Sequence, residues 1–317
     1  MKELVRTNDP VRISWLTSML AEGGVVATVL DTHTSILEGQ IGAIPRRVMV
    51  IDEDFQAARR ILANAEREIA TASSLDALLG GRITLEQPLA GYRVAVDPVL
   101  LAAAVPPGAR VLDVGTGVGA AALCYAHRFP EAKVTGLELQ TPLAELARAN
   151  VVRNELTTQV EILNGDLLAP PEALSAVGFD QVMANPPYLP AGRADPRIRA
   201  EKAISHVEGD AVLVDWIDFC VRMAAPRGTI TFIHRADRLD EILARLQGRA
   251  GGTVVFPLWP KREVAPKRVL VQARVGIGTP MRISPGLVLH EPNGSYTDIV
   301  ADVLNEGAGL DLYGHLG

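Results

Sequence analysis

The chain has almost no cysteine. Cys124 and Cys220 are the two among 317 residues, each inside an apolar helical pattern and without metal-ligand spacing. They are expected to be reduced core residues, and no metal site is expected. Strong charge imbalance is also missing. A net charge of −6 is mildly acidic and is not the signature of a generic nucleic-acid binder, so any RNA or DNA contact falls to a local basic patch. Met1-Lys2-Glu3-Leu4-Val5-Arg6 has no signal-peptide core, and no uncharged apolar run is long enough to span a bilayer. A soluble, cytoplasmic protein is expected. No internal repeat and no low-complexity tract is found. What is present is 48% apolar residues, enough for a substantial core in a chain long enough for two domains.

Residues 1–70 read as a small α+β unit in β-α-β-β-α order, with the helices on one face of an antiparallel, half-ferredoxin-like sheet. Asp9 as N-cap and Pro10 start the first helix, and Gly23-Gly24 ends it. Residues 36–45 read as a plain loop. Residues 71–77 are small and polar and read as a linker, with a second domain over 78–317. A hairpin over 81–96 leads into a helix capped by Asp97, with Pro98 in its first turn. From Arg110 strands and helices alternate, which means a parallel sheet with right-handed crossovers. Strands are expected at 111–114, 133–138, 160–163, 179–184, 229–233, 254–258 and 268–273. No helix separates the last two, so one of them runs antiparallel.

Gly115-Thr116-Gly117-Val118-Gly119 allows a ligand close to the backbone at a helix N-terminus. Its G-x-G-x-G spacing leans away from the dinucleotide fingerprint. Asp113 ends the strand before that loop, where a carboxylate repels pyrophosphate and accepts from an ammonium. Glu138 closes the next strand and suits a ribose diol. Asp166 follows the third and suits an adenine amino group. A ligand with ribose, adenine and ammonium but no phosphate is S-adenosylmethionine. Asn185-Pro186-Pro187-Tyr188 then stops the fourth strand, because two prolines end a sheet ladder. Asn185 Oδ1 and the Pro186 carbonyl suit the two hydrogens of an NH2 group on a planar substrate, and Tyr188 suits its ring.

These motifs resemble the class I methyltransferases that act on exocyclic or amide nitrogen. Gln87-Pro88-Leu89-Ala90-Gly91-Tyr92-Arg93 with Asp97-Pro98-Val99-Leu100-Leu101 narrows the resemblance to the bacterial tRNA1(Val) adenine-37 N6-methyltransferase family, over roughly residues 78–275. The resemblance implies a Rossmann-like, seven-stranded fold and methylation of the adenine beside the anticodon of a valine tRNA. It implies cofactor binding by Asp97, Asp113, Gly115, Gly117, Gly119, Glu138, Asp166 and Asn185, with Asp97 beside the methionine end. It assigns catalysis to Asn185, Pro186, Pro187 and Tyr188. Residues 1–68 resemble a small family of bacterial signal-transducing domains related in fold to the PII-like modules. Members of the methyltransferase family usually lack such a domain, which leaves the tRNA species, the partner of residues 1–70 and the oligomeric state open.

Arg193, Arg197 and Arg199 with Lys202 follow the catalytic turn, and Lys261, Arg262, Lys267 and Arg268 flank the last hairpin. Both clusters are expected to contact RNA phosphates, and Tyr188 the flipped base. His206 and His234 read as structural. Three other functions share parts of the pattern. Glutamine N5-methylation of a release factor uses the same turn, but behind a helical N-terminal domain. DNA adenine methylation needs a target-recognition domain that is not found. A non-catalytic sensor of S-adenosylmethionine has no need of an intact Asn185-to-Tyr188 turn.

Overall fold

The computed structural model describes residues 1–7, 10–30, 46–62, 73–89, 93–174, 178–188 and 211–313. It divides into two compact units, Met1–Ala72 and Ser73–Gly317. The first contains β1 (Lys2–Thr7), α1 (Pro10–Glu22), β2 (Ala27–Leu30), β3 (Arg46–Val50) and α2 (55–62). Its sheet is antiparallel in the order β1-β3-β2. The central strand β3 buries Val48 and Val50 in one core with Ile13, Leu16 and Leu20 of α1 and Ala58 of α2. Gly24, at φ 76°, turns the chain out of α1. The expected cap at Asp9 and the loop at 36–45 lie outside the described residues.

The second unit opens with β4 (Ser73–Leu78) and β5 (Ile83–Pro88), an antiparallel hairpin. Residues 73–77 are therefore not linker, and the hairpin begins earlier than the sequence suggested. Pairing uses the backbone, so small polar side chains serve as well as apolar ones. Asp76 adds local anchors, accepting from Gln87 Nε2 and from Arg93 Nη2, both at 2.7 Å.

The main sheet follows. Its strands are β6 (Arg110–Val114), β7 (Lys133–Glu138), β8 (Val160–Asn164), β9 (Phe179–Ala184), β10 (Ala224–Arg235), β11 (Ala250–Trp259) and β12 (Arg268–Val275). Their spatial order is β8-β7-β6-β9-β10-β12-β11, parallel except for β12. This is the expected seven-stranded Rossmann-like sheet. Two short strands, β13 (Arg282–Ile283) and β14 (Leu287–Val288), extend it beyond β11. The helices are α3 (Asp97–Ala104), α4 (Ala120–Arg128), α5 (Thr141–Arg153), α6 (Leu213–Met223), α7 (Leu239–Leu246) and α8 (Asp298–Glu306). Alternation along the strands makes two cores. Val111, Val134, Met183, Ile233 and Leu270 face α3, α4 and α5; Leu112, Val182, Phe232 and Val271 face α6 and α7. Cys124 and Cys220 are buried free thiols, one in each core.

α3 corrects one sequence reading. Asp97 is its first residue, the N-cap is Val96, and no side chain caps the helix. The Asp97 carboxylate is engaged elsewhere, as described below. No helix among the described residues is long and apolar enough to cross a membrane.

The hairpin docks on α5 through two amides one helical turn apart. Asn150 Oδ1 accepts the Glu86 N–H at 2.7 Å, and its Nδ2 donates to the carbonyls of Glu86 (2.9 Å) and Val118 (3.0 Å). Asn154 pairs with the N–H and C=O of Thr84, both at 2.8 Å. The two side chains replace a neighbouring strand along the β5 edge. Asn150 is fully buried, so Asn150→Ala leaves buried backbone groups unpaired. It is expected to lower the unfolding free energy by about 2–3 kcal/mol, measured by urea denaturation.

Candidate active site

The loop between β6 and α4 sets the geometry of the site. Gly115, Gly117 and Gly119 have φ of 70°, 59° and 92°, a path that L side chains resist. The loop does not offer its first amides to an anion. The N–H groups of Gly115 and Thr116 both donate to the Leu137 carbonyl, at 2.8 and 3.0 Å, and Gly117 N–H donates to Glu138 Oε2 at 2.9 Å. A loop whose amides are tied to the end of β7 is no pyrophosphate cradle.

A cavity of about 460 Å³ opens at the carboxyl ends of the strands. Asp113, Gly115, Gly117, Glu138, Asp166, Asn185, Pro187 and Tyr188 line it, as does Trp216. Of the other residues expected there, Asp97, Gly119 and Pro186 are not on its wall. Gly119 is the N-cap of α4 and packs against Leu123 and Ala147. Trp216, on α6, was not anticipated. The benzo edge of its indole packs on Gly115, where a Cβ would come within 2.7 Å of the ring.

Two carboxylates dominate the cavity. Asp113 is buried and accepts the Thr116 hydroxyl on Oδ2 at 2.6 Å. Burial pushes its pKa up to about 6, the Thr116 hydroxyl and the Ala122 amide pull against that, and nearby Glu138 adds to it. Glu138 is also buried, and burial raises its carboxyl above the usual range despite the amides of Gln140 and Gly117. Asp166 is half-buried, and its Oδ1 accepts the Leu168 N–H at 2.8 Å. No Lys, Arg or His is among the described residues of the wall.

Across the cavity, β9 ends at Ala184 and Asn185 follows. Asn185 Oδ1 is buried and has no hydrogen-bond partner among the described residues. Tyr188 is fixed from several sides. Its hydroxyl donates to Asp97 Oδ2 at 2.6 Å, Arg268 lies 4.2 Å above the ring centroid, and the His234 ring meets it edge-on at 5.4 Å. Arg268 Nε also donates to Asp97 Oδ2, at 3.1 Å. Asp97 thus braces Tyr188 and Arg268 instead of lining the cavity. His234 is fully buried and sits 3.3 Å from the Pro187 carbonyl through Nε2, which must carry the hydrogen because a carbonyl only accepts. Burial pushes the pKa of His234 down to about 4, helped by the charges of Arg238 and Arg268. Lys267 is exposed. Arg193, Arg197, Arg199, Lys202 and His206 lie outside the described residues.

The wall fits S-adenosylmethionine in its donor set. Two buried carboxylates without a counter-charge call for a ligand carrying cations and hydroxyl donors, and an ammonium and a ribose diol supply both. Among known proteins, a tRNA1(Val) (adenine(37)-N6)-methyltransferase of Porphyromonas gingivalis is 31% identical over 231 residues, 68% of this chain and 88% of that one. The chain belongs to the tRNA1(Val) (adenine(37)-N6)-methyltransferase family. It is an S-adenosylmethionine-dependent N-methyltransferase. Residues 97–206 match the family described as "Methyltransferase small domain", and residues 1–66 match "Putative prokaryotic signal transducing protein". A release factor glutamine methyltransferase of Gloeobacter violaceus is 34% identical over 121 residues, but this covers 37% of this chain and 41% of that one. Among solved structures, one described as a predicted O-methyltransferase of Agrobacterium tumefaciens superposes with a TM-score of 0.56 at 26% identity, covering 68% of this chain and 98% of that one.

The elevated Asp113 pKa has a direct thermodynamic consequence. Between its ordinary value of 3.8 and about 6, the folded protein holds a proton that the unfolded chain has released. Stability therefore falls as pH rises through that window and stays lower above it, by about 3 kcal/mol. Asp113→Asn keeps an acceptor for Thr116 and removes the buried charge. The variant is expected to be more stable than the parent at pH 8, with the difference vanishing near pH 4, as read from urea denaturation at both pH values.

Proposed function

We propose that this methyltransferase modifies N6 of adenine 37 in tRNA1(Val), the reaction for which its Porphyromonas gingivalis relative is named. The observation that carries the catalytic assignment is the unpartnered, buried Oδ1 of Asn185 beside the acidic cavity. Such an acceptor costs about 1–3 kcal/mol until a donor arrives. An exocyclic amino group brings two.

An adenine amino group is a poor nucleophile, because its lone pair is delocalised into the ring. Asn185 Oδ1 and the Pro186 carbonyl accept its two hydrogens, which draws the lone pair out of the ring plane and aims it. S-adenosylmethionine, when bound, supplies an electrophilic methyl group. Asp113 holds the ammonium of that group, Glu138 the ribose hydroxyls and Asp166 the adenine amine. The gain is orientation and electrostatics, so no strong base is required. Tyr188 gives the flipped base a surface to stack on. In the braced state described above, Arg268 already covers one ring face, so a base taking that face displaces a guanidinium. Lys267 and the run Arg193, Arg197 and Arg199 supply phosphate contacts that an acidic chain must concentrate locally. The reaction belongs in the cytoplasm, where tRNA is matured.

Label from S-adenosylmethionine is expected in total tRNA, recovered as N6-methyladenosine, with DNA and purified release factor as parallel acceptors. Label in release factor alone would overturn the substrate while keeping the role of Asn185. Asn185→Ala is expected to lose at least about 100-fold in kcat and to bind S-adenosylhomocysteine within a few-fold of the parent. Near-normal turnover in that variant would refute the assignment.

A further inference from the structure

Trp216 carries a second unsatisfied group in the same region. Its Nε1 is buried and has no hydrogen-bond partner among the described residues. The benzo edge of the indole packs on Gly115, two residues after Asp113, and Trp216 and Asp113 line the same cavity, so it holds a residue with a buried, unpaired donor and one with a buried carboxylate. The cavity wall offers a ligand anion no Lys, Arg or His among the described residues. The amides of Gly115, Thr116 and Gly117 are already committed to Leu137 and Glu138. The hydroxyls of Thr116 and Tyr188 are committed to Asp113 and Asp97.

We propose that Trp216 is a specificity-determining residue that donates its indole N–H to the carboxylate of the amino-acid end of the cofactor while Asp113 takes the ammonium. The two ligand groups stand on one carbon, which matches a donor-bearing and an acceptor-bearing residue on the wall of one cavity. This inference rests on the S-adenosylmethionine reading of the cavity. It makes Trp216 a reader of the amino-acid end, distinct from a hydrophobic lid that would treat every adenosyl ligand alike. A helix residue thereby replaces the cation that a carboxylate site would otherwise need.

The test compares S-adenosylhomocysteine with 5′-methylthioadenosine, which keeps the adenosine and thioether but lacks the amino-acid end. Calorimetry on the full chain is expected to show Trp216→Phe binding S-adenosylhomocysteine about tenfold more weakly, ~1.4 kcal/mol, with 5′-methylthioadenosine unchanged within twofold. Equal weakening of both ligands, or of neither, would overturn the inference and leave the cofactor reading intact. Failure of the parent to bind S-adenosylhomocysteine at all would overturn the cofactor reading, and the inference with it. A readout that needs no altered Trp216 is the indole ¹⁵N–¹H spectrum of the three tryptophans, Trp15, Trp216 and Trp259. The Trp216 signal, identified by its persistence in Trp15→Phe and Trp259→Phe, is expected to move downfield with S-adenosylhomocysteine and to stay with 5′-methylthioadenosine. A shift of the same size with both ligands would count against the carboxylate contact.

Discussion

The site depends on one constraint: β9 cannot pair beyond Ala184. Up to that residue the strand is held on both sides, by Val114 of β6 and Phe232 of β10. Pro186 and Pro187 have no N–H, so the ladder stops where β6 also ends and β10 continues to Arg235. Groups that would be ladder partners must then be satisfied in other ways. On the β10 side, the imidazole of His234 takes the Pro187 carbonyl in place of a backbone amide. On the cavity side, the side-chain Oδ1 of Asn185, the first residue past the ladder, has no donor among the described residues. The same break that interrupts the sheet leaves a rigid acceptor at its rim, and rigidity is what an orienting group needs.

Electrostatics add a second conflict with stability. Asp113 and Glu138 are both buried, Glu138 adds to the cost of charging Asp113, and no cation among the described residues of the wall relieves them. In a protein built only to be stable, one of them would be neutral or paired. Their coexistence is explained by a ligand that brings positive charge and hydroxyl donors with it. The glycine loop reinforces this choice. Because Gly117 N–H is drawn to Glu138, the loop turns toward the second strand and away from an anion, which separates this cavity from a dinucleotide site on a similar sheet.

Most of the sheet was legible in the sequence, because apolar runs of five or six residues bounded by glycine, proline and acids leave little ambiguity. The glycine loop, the acids at successive strand ends and the proline turn were equally legible, since each is a local backbone requirement. Three features were not. β4 has the composition of a linker, and it is a strand only because β5 lies beside it. Asp97 has the look of a helix cap, but its preferred partners, Tyr188 and Arg268, come from positions 91 and 171 residues away. Trp216 sits three residues after Leu213 and one before Ile217, so its pattern reads as core helix; that this helix meets the start of the glycine loop is a property of the assembled sheet.

Arg268 shows how assembly changes the meaning of a charge. In sequence it belongs with Lys267 to a basic patch beside the last hairpin. In the fold these two adjacent residues of the chain point to different fates, as neighbours at a strand start must. Lys267 is exposed, while Arg268 turns in and divides itself between the Asp97 carboxylate and the Tyr188 ring. Each contact alone is modest at a half-exposed site, of the order of 1 kcal/mol. Together they fix Tyr188 from above while Asp97 fixes it through the hydroxyl, so a single carboxylate links the start of α3, the start of β12 and the turn after β9. A phosphate approaching this edge competes with that bracing if it recruits Arg268, but not if it recruits Lys267. The division of labour that follows is physical: the outward cation is available to an anion in solvent, and the inward one holds the aromatic ring.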